Sequence, residues 1–101
     1  MKLVFQGQFR FNTDYLLRRC GYGKTMNRNG EVSYVRLLGQ SGYPRFHAYV
    51  EKAPEGFCVN VHVDQKQPTY GNLTAHSGEY DGPIILQEGE RVRVCIQGMR
   101  R

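Results

Sequence analysis

Two stretches of strict alternation, separated by a short turn, constrain this chain more than anything else in it. The first is Arg45-Phe46-His47-Ala48-Tyr49-Val50 and the second runs from Phe57 to Lys66. Phe46, Ala48 and Val50 point one way, as do Phe57, Val59, Val61 and Val63, while Arg45, His47, Tyr49, Asn60, His62, Asp64 and Lys66 point the other. Apolar residues at every second position mark strands with one face buried. Ala53-Pro54-Glu55-Gly56 between them has the composition of a tight turn. A turn centred on Pro54-Glu55 sets His47 opposite His62, Arg45 opposite Asp64 and Tyr49 opposite Asn60. A slip of one residue would carry the apolar set into water, so only even slips keep the pattern. Opposed residues have Cβ atoms about 4.5–5.5 Å apart, so the hairpin gathers imidazoles, a carboxylate and cations on one face.

The remaining segments suggest what this hairpin belongs to. Residues 3–11 read as a first strand with Leu3, Phe5, Phe9 and Phe11 on one face, and Gly7 there fits a bulge or a close helix crossing. Asn12 or Thr13 can cap a short helix that ends at Gly21, burying Leu16, Leu17 and Cys20 and exposing Arg18 and Arg19. Residues 21–30 form a polar, glycine-rich connection with a turn signal at Asn29-Gly30. Residues 31–38 read as a strand and 39–44 as a loop. The stretch 67–83 is long for a connection, a length usual for functional or disordered segments, and its own aromatic and ionisable residues predict that it orders against the polar face. Ile84 to Leu86 and Arg91 to Ile96, joined by Gln-Glu-Gly-Glu, read as a second hairpin with Val92, Val94 and Ile96 inward. The expected fold is a single α+β domain, residues 1–101, built as a small antiparallel sheet with one short helix packed on one face. A small all-β barrel is the alternative, since only one helix shows in the pattern.

Bulk properties narrow the function classes. With 101 residues the chain can bury one modest core. No apolar run approaches the roughly 18–20 residues that span a bilayer, and residues 1–8 lack the features of a signal peptide. Cys20, Cys58 and Cys95 are odd in number and form no CxxC pair, so reduced thiols in a cytoplasmic protein are expected. A net charge of +5 favours an acidic partner, with RNA or another polyanion first and a second copy of the chain also considered.

The polar face of the hairpin supports three chemistries and one bland reading. The bland one is a solvated sheet face, polar by necessity, although opposed histidines are not an obvious choice for solubility. For acid–base work on a phosphodiester, His47 and His62 would exchange protons while Lys66 or Arg45 stabilises developing charge. Metal-independent ribonucleases use such sets on antiparallel sheets, which is an analogy and not an identification. A metal centre would take His47, His62 and Asp64, with His76 from the long segment as fourth ligand, and zinc or a harder divalent ion as cofactor. Nucleic-acid binding would draw on Arg45, Tyr49 and Lys66, joined by Tyr22, Lys24 and Arg28, which interleave rings and cations as stacking on single strands requires. Gly21-Tyr22-Gly23-Lys24-Thr25 lacks the spacing of a phosphate loop and follows a helix, so it is not read as one.

Taken together, Arg45 to Tyr49, Val61 to Lys66 and Thr74 to Tyr80 resemble segments of a group of small proteins from uncultured prokaryotes. The resemblance covers about the middle third of the chain and brings no established activity. It implies that His47, His62, Asp64, Lys66 and His76 form one unit. The leading expectation is RNA or polyanion binding on the histidine-bearing face and the adjoining segment; phosphodiester cleavage is a further step that this face could add, and binding is favoured over it. Divalent-metal binding and a protein-interaction role are the alternatives.

Overall fold

A computed structural model of the protein describes residues 1–65 and 82–101. Lys66 and His76 lie outside the described residues, as does all but Gly82 of the 67–82 stretch expected to order against the polar face. Along the chain, β1 (Lys2–Gln6) leads to α1 (Thr13–Arg19), then β2 (Gly23–Met26), β3 (Val32–Leu37), β4 (Arg45–Ala53), β5 (Gly56–Asp64) and finally α2 (Pro83–Gln97). The strands form one antiparallel sheet in the order β1-β5-β4-β3-β2. Among the described residues β1 and β2 are its two edges, so the sheet is open and the barrel alternative is excluded. The α+β expectation holds.

The β4–β5 hairpin forms in the expected register. Arg45 lies opposite Asp64, His47 opposite His62, Tyr49 opposite Asn60 and Ala53 opposite Gly56, leaving Pro54 and Glu55 as the turn. Phe46, Ala48, Phe57, Val59, Val61 and Val63 are all buried and join one core with residues of both helices. Gly56 is required there, because a Cβ at that position would overlap the Phe5 carbonyl oxygen of β1. The short helix also forms as expected. The Asn12 side chain caps it by accepting from the Tyr15 N–H at 2.9 Å, and Leu16, Leu17 and Cys20 are buried.

Three readings are corrected. The segment expected as a second hairpin is a helix, α2, in which Ile85, Glu88, Gly89, Val92 and Ile96 are buried at helical spacing. Val94, expected inward, is 58% exposed. Alternation of Val92, Val94 and Ile96 matches a strand, yet Val92 and Ile96 also stand one helical turn apart, and burial of the longer stripe from Ile85 decides between them. Pro83 opens the helix, where its missing N–H costs nothing. Gly89, in sequence a turn residue, lets Met1 and Leu3 approach, since a Cβ there would overlap the Met1 sulfur. The second correction concerns residues 21–30, which are not only a connection. Gly23–Met26 is the edge strand β2, paired to β3 through a turn in which Asn27 Oδ1 accepts from the N–H groups of Asn29 and Glu31. All four of its residues are exposed, so it carries no alternation to betray it. Third, the first strand stops at Gln6, because Gly7 turns the chain with φ +96. Phe9 still packs on Phe5 and Phe57, but Phe11 is exposed and lies against Tyr15 instead.

One charged cluster fastens α2 to the rest. Glu88 is only 4% exposed and accepts from the Tyr22 hydroxyl at 2.6 Å, from Arg91 at 2.8 and 2.9 Å and from Arg36 at 3.3 Å. Arg91 also donates to the Cys20 carbonyl oxygen at 2.6 Å, bringing the end of α1 into the same network. Burial alone would raise the Glu88 carboxyl, but hydrogen bonds from Arg91 and Tyr22 and the charges of Arg91 and Arg36 hold it below its usual value. Burial, followed by the hydrogen bond to Glu88, raises the Tyr22 hydroxyl. On the other helix, hydrogen bonds from Tyr34 and Lys24 lower the Asp14 carboxyl and tie α1 to β3 and β2.

Glu88→Gln is expected to destabilise the protein by about 2–3 kcal/mol at neutral pH. That is below the cost of breaking a fully enclosed pair, because both guanidiniums keep access to water. A folded-state pKa below the unfolded value means that the contribution is complete above the ordinary glutamate range and is lost as pH falls through the folded value. Urea denaturation should therefore show a weaker acid-side loss of stability in the variant than in the wild type.

Candidate functional site on the open sheet face

Both helices lie over one face of the sheet, which leaves the other face carrying the polar set of β4 and β5. The structure brings Arg45, His47, Tyr49, His62 and Asp64 together there. Their arrangement is a chain of hydrogen bonds. Asp64 Oδ2 lies 2.8 Å from His47 Nδ1 and 3.1 Å from Arg45 Nε, and His47 Nε2 lies 2.8 Å from the Ser33 hydroxyl. The chain runs across three adjacent strands, from β5 through β4 to β3. Arg45 also places its guanidinium 4.6 Å above the Tyr43 ring.

Donor and acceptor roles follow from the end groups. An ionised carboxylate only accepts, so His47 Nδ1 carries a hydrogen and donates to Asp64. In the neutral imidazole, Nε2 is then a bare acceptor, and the Ser33 hydroxyl donates to it. This chain satisfies Ser33, which is only 5% exposed. Tyr49 stacks on His47 at 4.6 Å and 23°, shielding the imidazole on one side, and meets His62 edge to face at 5.9 Å. His62 itself is exposed, so it is the imidazole open to a ligand. Beside it, Tyr49, Asn60 and His62 line an open cleft of about 520 Å³ with Glu31 and Glu51. Asn60 donates to Glu51 at 2.8 Å across the hairpin.

The other expected residues lie elsewhere. Tyr22 is 2% exposed, its ring in the core and its hydroxyl on Glu88, so its face cannot stack on a base. Lys24 stands opposite Tyr34 on the helix side of the sheet and pairs with Asp14 at 3.0 Å. Arg28 is exposed in the turn between β2 and β3. Among the described residues, no group of three or more histidines, cysteines and acids is placed to hold a metal ion, and both His47 nitrogens already have partners.

Ser33 is the site residue that sequence reasoning missed. A serine at a polar position of a strand is unremarkable until the pairing of β3 with β4 is known, and that pairing crosses residues 38–44, a loop too long to set its register from sequence. Glu88 was missed for a different reason, since its segment has the composition of a turn.

No family model, curated protein or solved structure matches this chain, so its function is argued from its own residues.

Because Ser33 and His47 satisfy one another, each of Ser33→Ala and His47→Ala is expected to cost about 1–3 kcal/mol. The double variant should cost less than the sum by about 1 kcal/mol, a coupling that chemical denaturation of the four proteins measures directly. Strict additivity would mean that the hydrogen bond does not form in solution.

Proposed function

We propose that the open sheet face binds single-stranded RNA, or a polyanion that likewise carries stacking rings. The observation that supports this reading best is Tyr49, an aromatic residue 41% exposed whose ring is steadied by stacking on His47 and by an edge-to-face contact with His62. A ring held in this way offers a base a stacking platform at little ordering cost, worth about 1–3 kcal/mol per base. Arg45 supplies a cation on the same face, in reach of a phosphate.

Charge on this face favours a stacked ligand over a merely anionic one. Among the described residues of this face, Lys2 and Arg45 are set against Glu31, Glu51 and Asp64, so cations do not outnumber carboxylates there. The carboxylates Glu31 and Glu51 sit at the cleft end, which directs a phosphate backbone toward Arg45 and Tyr43. Cleavage of the bound strand is the chemistry this face could add, with exposed His62 as the proton-transfer group, since His47 Nε2 is engaged by Ser33.

Fluorescence anisotropy with labelled single-stranded RNA tests the reading. Affinity should fall linearly with the logarithm of salt concentration, as release of counterions requires. Tyr49→Ala should weaken binding about 5- to 100-fold with the salt slope unchanged, whereas Arg45→Gln should reduce the slope by about 0.7. Equal binding by wild type and both variants would place any RNA affinity on another surface, and absence of binding at low salt would remove the proposal.

A further inference from the structure

We propose that Ser33 is a nucleophile, activated by His47 and oriented through Asp64, that takes up a small acyl group from an ester. The geometry has the three parts such a centre needs, in the right order: hydroxyl to imidazole at 2.8 Å and imidazole to carboxylate at 2.8 Å, on opposite nitrogens of one ring. The carboxylate fixes the tautomer, so the only free electron pair of the imidazole faces the Ser33 Oγ. The proton that His47 is placed to accept is therefore the serine's, and a base aimed at a hydroxyl is what turns a weak nucleophile into a competent one. Asp64 is held in turn by Arg45, which fixes the carboxylate.

Location sets the substrate class. Ser33 is on β3, one strand in from the edge, and directly opposite Thr25 of the exposed strand β2. With 5% of its surface exposed, it can meet only a compact group such as acetyl. Thr25, as the cross-strand partner of Ser33, carries a second hydroxyl on the same face of the sheet. In the first step the Ser33 oxygen bonds to the carbonyl carbon while its proton passes to His47 Nε2. The bond to the leaving alkoxide then breaks, and the alkoxide departs with that proton. Water attacks the acyl-serine, gives its proton to His47 Nε2, and the carbon–serine bond breaks as the proton returns to Ser33. Asp64 remains ionised throughout. Nucleophilic chemistry at Ser33 does not depend on RNA binding at Tyr49, and neither result decides the other.

The test uses the full-length chain with p-nitrophenyl acetate and, separately, a small alkyl fluorophosphonate. Intact mass and peptide mapping should show one acyl or phosphonyl group on Ser33 of the folded protein and none on Ser33 of the urea-unfolded protein. Asp64→Asn, checked for folding by circular dichroism, should slow labelling at least tenfold. An unlabelled Ser33 in the folded wild type overturns the proposal without need of any variant, and leaves the hydrogen-bond chain as a clamp between strands. Labelling of a folded Asp64→Asn protein at the wild-type rate also overturns it.

Discussion

The alternation of β4 and β5 is the constraint on which the other elements depend. Nine paired positions put Phe46, Ala48, Val50, Phe57, Val59, Val61 and Val63 on one face. A one-residue slip of β5 against β4 would expose Phe57, Val59, Val61 and Val63 and bury Asn60, His62 and Asp64. Burying a valine- or phenylalanine-sized side chain is worth about 1.5–3 kcal/mol, so such a slip forfeits about as much as the net stability of a small domain. With register fixed, β1 adds to the free edge of β5 and β3 to that of β4. The two helices then close the apolar face, and among the described residues no element packs over the polar face.

That division explains why the two charged networks differ in character. Glu88 lies under α2 among Tyr22, Arg36 and Arg91, where it is nearly enclosed and joins both helices to the sheet. Its partners leave no acceptor without a donor, so it acts as a fastening. On the open face, Asp64, His47 and Ser33 form a comparable chain, but its ends differ: a carboxylate at one and a hydroxyl at the other, with an ionisable ring between. A fastening holds charge still, whereas this chain is built from groups that can pass a proton. The exposed rings of Tyr49 and His62 alongside give the same face a means of engaging a ligand.

The hairpin and its register were legible in the sequence because period-two alternation and a two-residue turn leave one solution. The first helix was legible from Asn12 and the spacing of Leu16, Leu17 and Cys20. The second helix was not, because valine and isoleucine favour strands locally and its burial stripe includes a charged Glu88 and a Gly89 that mimic a turn. β2 escaped notice because an exposed edge strand has no buried face to impose a pattern. At the site, Arg45, His47, Tyr49, His62 and Asp64 could be grouped from the hairpin alone. Ser33 could not, since its contact depends on how a third strand registers across a loop. Tyr22 and Lys24 were misplaced for a related reason: a ring or a cation near a glycine-rich connection looks exposed until the layer above it is known.

The chemistry of the open face turns on the state of one ring. Nitrogen NMR correlating the His47 ring nitrogens with the ring protons would report its tautomer in the neutral form. The hydrogen should reside on Nδ1, with that proton strongly downfield from its bond to Asp64, and Nε2 should be bare; Asp64→Asn should disturb both signals, and Ser33→Ala mainly that of Nε2. A neutral His47 with its hydrogen on Nε2, or an equal mixture of tautomers as in free imidazole, would contradict the chain from Asp64 to Ser33.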